Sequence, residues 1–229
     1  MHVAVSSLFC VLLAAPATSL AQTGVHDFRL GGSAFIVSQE CIRLTPDRPY
    51  VSGSAWFKQP VDLREPFEIR MSLVLGRKDQ DGADGVVFVL HPFAQTGLRG
   101  EGMGFAGLIP SMGIEFDTYQ NLHLGDPRRD HLAMMTHGRR AHREAAVSPL
   151  ELENLEDGAR HPLRIAWAPR DGRLEVVFDD GVKATYRSDI VQRVFNGQSV
   201  VYWGLTAGTG RLSNEQDVCF DTMVVAAQQ

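Results

Sequence analysis

Apolar and polar residues alternate along short segments of this chain, and Gly, Pro, Asp and Asn separate these segments. Residues 67–75 read Phe-Glu-Ile-Arg-Met-Ser-Leu-Val-Leu, and residues 163–167 and 174–178 show the same pattern. A period of two places successive side chains on opposite faces of a β-strand. Helical periodicity is weak, and it predicts only one short helix, at 189–195. The chain is therefore predicted to be all-β, with antiparallel sheets packed face to face.

The rest of the chain continues this organisation. Asp171-Gly172 and Asp180-Gly181 have the composition of hairpin turns. Residues 138–160 are polar, and we predict a long surface loop there with a turn of helix near 150–155. A length of 229 residues suits a single all-β domain. Further strands are predicted at 34–38, 41–44, 54–57, 86–90, 112–118, 132–136, 200–207 and 218–225.

The first 21 residues have features of a secretory signal peptide, so the mature domain is predicted to span 22–229. Residues 3–15 are apolar, and Ser19-Leu20-Ala21 has small residues at the positions that define cleavage. The apolar run is shorter than the roughly 20 residues of a membrane span, so no span is expected. We expect a secreted or periplasmic protein. Cleavage would leave Cys41 and Cys219, either as one disulfide or as two buried thiols.

Charge argues against nucleic acid as a partner. The formal net charge is −5, and the sequence contains no run of Lys or Arg. A loose cluster of arginines in 128–143 is followed by acidic residues in 144–157, which is typical of a solvated loop.

Residues 115–131 concentrate side chains that bind metal ions. Glu115 and Asp117 share one face of a predicted strand, and Asn121, Asp126 and His131 lie in and after the loop that follows. Carboxylate and amide oxygens suit Ca²⁺, whereas an imidazole beside carboxylates suits a transition metal. Carboxylates this close repel one another, and bound cations relieve that repulsion.

This spacing resembles the metal loop of the legume-type (L-type) lectin family. The resemblance implies a concanavalin A-like jelly-roll sandwich and two adjacent ions, Ca²⁺ and Mn²⁺ or another transition metal. Its implied ligands for the transition metal are Glu115, Asp117, Asp126 and His131. Its implied ligands for Ca²⁺ are Asp117, the Tyr119 carbonyl, Asn121 and Asp126.

Three more segments resemble the same family and imply a sugar site. In Gly82-Ala83-Asp84-Gly85, the resemblance implies a cis Ala83–Asp84 peptide and an Asp84 carboxylate that accepts sugar hydroxyls. In the glycine-rich segment 100–108, it implies that the N–H of Gly104, or alternatively Gly102, contacts the sugar. Residues 204–210 resemble the family strand before the specificity loop, which is short here. Asn121 would also contact the sugar, and the Tyr119 ring would stack on it.

The resemblance also bears on the cysteines and on assembly. Strands near the two ends of the chain are neighbours in the back sheet of this family, which implies a Cys41–Cys219 disulfide. The flat back sheet of such sandwiches often pairs, so a homodimer through that sheet is possible.

The leading functional prediction is a metal-dependent lectin that binds glycans without hydrolysing them. The main alternative is a glycoside hydrolase on the same sandwich, in which Glu-x-Asp-x-x-Glu supplies two carboxylates from one strand. Glu115 and Asp117 fit that motif, but the position of the last acid is Gln120. A third alternative, an adhesion module with a decayed sugar site, conflicts with the intact Asp84 and Asn121.

Overall fold

The computed structural model describes residues 22–220 and 223–224, and the predicted signal peptide lies outside them. The short helices of the described residues are one α-helix, α1 (Ile190–Arg193), and 3-10 turns at Val25–Asp27, Gly100–Gly102, Leu122–Leu124, His142–Glu144 and Pro169–Asp171. The strands are β1 (Gln22–Thr23), β2 (Phe28–Gly32), β3 (Phe35–Ile36), β4 (Cys41–Thr45), β5 (Ser52–Phe57), β6 (Val61–Asp62), β7 (Phe67–Val74), β8 (Gly85–His91), β9 (Met112–Asp117), β10 (His131–Thr136), β11 (Val147–Glu151), β12 (His161–Ala168), β13 (Arg173–Phe178), β14 (Val182–Arg187), β15 (Val200–Gly208), β16 (Gln216–Cys219) and β17 (Met223–Val224).

Two antiparallel sheets form the sandwich, which confirms the predicted all-β class. The front sheet has the order β11-β10-β9-β8-β15-β5-β2, with β6 added beside β15. The back sheet has the order β14-β13-β12-β7-β16-β4-β3, and β1 pairs separately with β17. Neighbours in the front sheet come from distant parts of the chain, so β15 lies between β8 and β5.

Apolar side chains between the sheets form the main core, including Ile69, Phe88, Ile114, Ile165 and Trp203. A second, smaller cluster covers the outer face of the front sheet. In it, residues of the glycine-rich segment pack on alternate residues of β8 and β10. The members of this cluster are Trp56, Val87, Val89, Met103, Phe105, Leu108, Ala133 and Met135. Strands β8 and β9 are therefore buried on both faces, and the carboxylates of β9 are buried with them.

The prediction of a long surface loop at 138–160 was wrong in part. Residues Val147–Glu151 form β11, which pairs with β10 at the edge of the front sheet. Pro149 lacks an N–H group, and an edge strand tolerates it because one side of that strand needs no ladder hydrogen bonds. Leu150 and Glu151 belong to this strand rather than to a turn of helix.

The short helix near the C-terminal end is confirmed. The Asp189 side chain accepts a hydrogen bond from the Gln192 N–H at 3.1 Å and so caps α1. Positive φ angles at Asn196 and Gly197 then redirect the chain. The predicted strand at 218–225 is divided between β16 and β17.

A disulfide joins Cys41 and Cys219, which lie opposite each other on β4 and β16 of the back sheet. The pairing implied by the family resemblance is confirmed. None of the helices in the described part of the chain reaches the length and hydropathy that crossing a bilayer requires.

Candidate functional site

Three adjacent strands of the front sheet bring the predicted site residues together. Asp117 ends β9, and its direct neighbours in the register are Gly85 on β8 and His131 on β10. Asp84 immediately precedes Gly85, so Asp84, Asp117 and His131 lie side by side across the end of the sheet. The loop from 118 to 130 returns the chain to the same edge and brings Asp126 back to it.

The backbone around Asp84 is held by both neighbouring segments. The Ala83–Asp84 peptide is cis, as the resemblance implied. The Asp84 N–H donates to the Gly208 carbonyl at 3.1 Å, and its carbonyl accepts from the Thr118 N–H at 2.9 Å. Gly85 has φ +147°, and a Cβ there would lie 2.3 Å from the Phe116 carbonyl oxygen. Only glycine allows this approach of β8 to β9.

The four side chains predicted to hold the transition metal form one buried cluster. Glu115 is 2% exposed, and Asp117, Asp126 and His131 are also buried. One carboxylate oxygen of each aspartate is fixed by the loop, because the Tyr119 N–H donates to Asp117 Oδ1 at 2.8 Å and the Asn121 N–H donates to Asp126 Oδ2 at 2.6 Å. These backbone bonds orient the carboxylates before any ion binds.

Burial makes the ionised form of these carboxylates unfavourable unless a positive charge accompanies it. It raises the pKa of Glu115 and that of Asp117, and the neighbouring Glu115 carboxylate raises the pKa of Asp117 further. For His131, burial and the nearby His142 imidazole lower the pKa to about 4. A neutral imidazole and ionised carboxylates are the forms that bind metal, and a divalent ion favours both.

His142 belongs to this cluster, although sequence reasoning missed it. Its Nε2 atom contacts Glu115 Oε1, and its Nδ1 atom lies 3.1 Å from Asp126 Oδ1. The His131 and His142 rings meet edge to face, with centroids 4.8 Å apart. Burial lowers the pKa of His142, but the carboxylates of Asp126 and Glu115 outweigh this and raise it to about 10. The feature of the sequence that could have indicated this role is the position of His142 in the arginine-rich segment that follows β10.

The clustered side chains form two groups of donors that could hold a metal ion. Glu115, His131 and His142 offer ligand atoms that lie within 4.8 Å of one another, and so do Asp117, Asp126 and His131. Within residues 24–220, the buried atoms Asn121 Oδ1 and His131 Nε2 have no hydrogen-bond partner, and Asp126 Oδ1 contacts only His142 Nδ1. His131 Nδ1 lies 3.3 Å from the Arg129 carbonyl oxygen, which suits an Nδ1–H donor and leaves the Nε2 lone pair for a metal.

A pocket of about 220 Å³ opens beside this cluster. It contains Asp84, Tyr119 and Asn121, three of the four residues predicted to contact sugar. The remaining lining residues are Ala83, Glu101, Gly210, Arg211 and Leu212. Asp84 is 4% exposed, and its Oδ2 atom finds no hydrogen-bond partner in the described part of the protein. Burial raises the pKa of Asp84 to about 7.

Gly104 does not line this pocket. Its N–H donates to the Leu98 carbonyl at 2.7 Å, and a Cβ at Gly104 would lie 2.9 Å from Thr206 Cβ on β15. The N–H of Gly102, the alternative contact, donates to the Arg99 carbonyl at 3.3 Å. Gly104 therefore serves the close packing of the 100–108 segment on β15, whereas Gly102 packs against Leu98 and Ala106.

Glu101 is the residue of that segment that reaches the pocket, which sequence reasoning did not identify. Its carboxylate contacts the Arg140 guanidinium and lies 3.0 Å from His123 Nε2. Glu101 therefore connects three segments at the rim of the pocket.

The short loop after Gly210 forms the opposite wall and is anchored at its base. Asn214 Nδ2 donates to Glu156 Oε1 at 2.8 Å, and Gln216 Nε2 donates to the Gly208 carbonyl at 2.9 Å. Both amides are buried, so the loop has a defined position while Arg211 at its tip is exposed. The resemblance left Arg211 and Leu212 unassigned, and both contribute to the pocket.

The two antiparallel sheets and the pocket at the end of the front sheet define an all-β sandwich with a candidate ligand site. The profile of the legume lectin β-barrel domain matches residues 21–222. The chain belongs to this family, and its family and fold are those of a carbohydrate-binding lectin.

Solved structures of plant lectins share the fold. One is basic winged bean lectin with Tn-antigen, with a TM-score of 0.71 and 22% identity, covering 87% of this chain and 93% of that chain. Another is lectin UEA-II complexed with galactose, with a TM-score of 0.70 and 18% identity, covering 85% of this chain and 90% of that chain.

Two curated bacterial proteins match part of the chain. Pesticidal crystal protein Cry22Aa of Bacillus thuringiensis is 34% identical over 97 residues, which is 41% of this chain and 13% of that protein. Serine-rich adhesin for platelets of Staphylococcus aureus (strain MRSA252) is 29% identical over 96 residues, which is 40% of this chain and 7% of that protein. The matched part is thus a small fraction of each relative.

Proposed function

We propose that this lectin domain binds glycans in the pocket beside Asp84 and that two bound ions order the pocket. The observation that carries the proposal is the buried, unpartnered Asp84 Oδ2, which lies in a pocket next to a cluster of metal-binding side chains. A carboxylate so placed is suited to accept hydrogen bonds from two sugar hydroxyls.

The other contacts follow from the pocket lining. Asn121 supplies an amide, and the Tyr119 ring supplies a flat apolar surface for a pyranose. Glu101 replaces Gly104 as the proposed contact from the glycine-rich segment, because the Gly104 N–H is already paired. Sugar-binding lectins among the structural relatives, described with galactose and with Tn-antigen, support a glycan as the ligand.

The ions proposed are Ca²⁺ beside a transition metal such as Mn²⁺. Asp117, the Tyr119 carbonyl, Asn121 and Asp126 suit Ca²⁺ because all four offer oxygen atoms. Glu115, Asp117, Asp126 and His131 suit the transition metal, which accepts an imidazole. The ions neutralise the buried carboxylates and hold the loop that carries Tyr119 and Asn121.

We propose that the protein binds glycans without hydrolysing them. Glu115 is enclosed by His142 and does not line the pocket, and Gln120 occupies the position where a hydrolase of this type needs its second acid. Incubation of the holoprotein with a glycan that it binds should release no reducing ends.

A glycan array with and without EDTA tests the proposal. We expect binding in the presence of Ca²⁺ and Mn²⁺ and its loss after chelation, together with a lower melting temperature, because ions that bind the native state stabilise it. Metal analysis that finds no retained ion after equilibration at millimolar concentration contradicts the metal sites. Binding that survives full chelation contradicts the role given to the ions.

Location and assembly are also proposals. We propose an exported protein, secreted or periplasmic, and the disulfide supports this because such bonds persist in oxidising compartments.

We propose a homodimer through the back sheet, supported by the exposed Phe35 and Ile36 on its edge strand β3. Sedimentation of the purified protein distinguishes a dimer from a monomer.

A further inference from the structure

A short turn after β10 places His142 against the metal cluster. His137 and Gly138 both have positive φ and reverse the chain, and a Cβ at Gly138 would lie 2.5 Å from the Leu108 N atom. The 3-10 turn His142–Glu144 follows, and the Ala146 N–H after it donates to the Met134 carbonyl at 2.8 Å. The turn is therefore attached to the front sheet, and the position of His142 over β9 and β10 is fixed.

The His142 ring lies among buried groups of the kinds that bind metal ions. The side chain is 5% exposed and lies between two acidic groups, Glu115 at Nε2 and Asp126 at Nδ1. His131 packs against it edge to face, and its Nε2 atom has no hydrogen-bond partner in the described ranges. Two buried imidazoles facing the same carboxylates are expected around a shared cation, because imidazole is a common ligand of transition metals.

We propose that His142 is a direct ligand of the transition-metal ion, so that this site holds two imidazoles, from His131 and His142. This inference rests on the proposed metal site and adds a ligand to the four implied by the family resemblance. It also concerns ion choice. A second imidazole favours Co²⁺, Ni²⁺ or Zn²⁺ over Mn²⁺ more strongly than a single imidazole does, because nitrogen ligands enhance the Irving–Williams order.

The test compares the full mature protein with His142→Gln and with His26→Ala, a control that removes an exposed histidine. Each protein is loaded with Ca²⁺ and then titrated with Co²⁺. We expect His142→Gln to weaken Co²⁺ binding by at least about tenfold, the loss typical of disturbing even the supporting residues of a metal site. His26→Ala should bind Co²⁺ as the wild type does.

Proton NMR of the Co²⁺ form gives a second readout that is independent of glycan binding. Paramagnetically shifted imidazole N–H signals count the coordinated histidines, and we expect two signals in wild type and His26→Ala but one in His142→Gln. If His142→Gln fails to fold, the number of shifted imidazole N–H signals in the wild type tests the inference by itself.

Three outcomes would overturn the inference. One signal in the wild type, or unchanged Co²⁺ affinity in His142→Gln, would show that His142 is not a ligand. Tighter Co²⁺ binding in His142→Gln would show that the protonated His142 imidazole takes the place of the metal ion instead of binding it. In each case retained, chelator-sensitive glycan binding would leave the proposed function intact, whereas the absence of any bound ion would contradict both.

Discussion

At the level of single side chains, Asp84 is proposed to contact only the sugar, whereas Asn121 is proposed to contact the sugar and to hold Ca²⁺. Asp84→Ala should reduce glycan binding by at least about tenfold, since unpaired polar groups cost about 1–3 kcal/mol each. Its melting temperature should change little. Asn121→Ala should also lose binding but melt at a lower temperature, because the Asn121 amide is a proposed Ca²⁺ ligand. Glycan binding and melting curves of both variants with Ca²⁺ present check this.

Unchanged glycan binding in Asp84→Ala would place the sugar elsewhere. Equal melting temperatures for the two variants would argue that Asn121 does not bind Ca²⁺.

Glu156 is a buried carboxylate that lies outside the metal cluster. Burial raises its pKa from 4.5 to about 8, and Asp130 and Asp79 contribute. The folded state therefore binds this proton more tightly than the unfolded state, so stability from Glu156 is present below about pH 4.5 and is lost as the pH rises towards 8. Glu156→Gln should remove this loss, and we expect its stability relative to wild type to rise by about 1 kcal/mol or more between pH 5 and pH 8.

Urea denaturation of both proteins at the two pH values provides the measurement. Glu153→Gln is the control, because the Glu153 side chain is 92% exposed. A stability difference that is the same at both pH values would contradict the raised pKa of Glu156.

At the level of segments, close packing at Gly82 constrains the backbone that leads into Asp84. A Cβ at Gly82 would lie 1.8 Å from Glu156 Oε1 and 2.1 Å from the Lys78 carbonyl oxygen. Gly82→Ala should therefore cost about 2 kcal/mol or more and weaken glycan binding, because Asp84 follows two residues later. Gly24→Ala is the control, since no described atom lies within 4 Å of a Cβ there, apart from its chain neighbours.

Denaturation midpoints and glycan titrations of the two glycine variants check this prediction. The control should stay within about 0.5 kcal/mol of wild type. Equal stability of Gly82→Ala and Gly24→Ala would mean that the 78–84 segment adapts more easily than its contacts indicate.

Elements with a clear local pattern were predicted well. The alternation at 67–75 and at 163–167 identified β7 and β12, because each strand buries one face against the core. The edge strand β11 was missed, since Ser148, Pro149 and Glu151 hide its pattern and its pairing with β10 defines it. Gly104 was predicted as a sugar contact from the family resemblance of the 100–108 segment, and that resemblance does not indicate which N–H in the segment is already bonded.

For the whole molecule, the Cys41–Cys219 disulfide closes a loop between residues that are 178 positions apart. Removing it in a Cys41→Ala/Cys219→Ala variant should cost about 2–4 kcal/mol, because the unfolded chain regains the freedom that the bond removes. Chemical denaturation with and without reductant measures this. Reductant should destabilise wild type and leave the double variant unchanged. Two reactive thiols in denatured, unreduced protein would contradict the bond.

The candidate metal loop could be recognised in the sequence because its residues lie on β9, in the loop that follows and at the start of β10. Glu115 and Asp117 are two residues apart on β9, and a short return brings Asp126 and His131 back to them, so spacing alone conveys the arrangement. Sequence patterns of this kind extend only over neighbouring residues. The imidazole of His142 and the pocket walls at Glu101 and Arg211 come from separate segments. Their positions depend on how β8, β9, β10 and β15 align and on which backbone groups the packing leaves accessible, and these are properties of the folded sandwich.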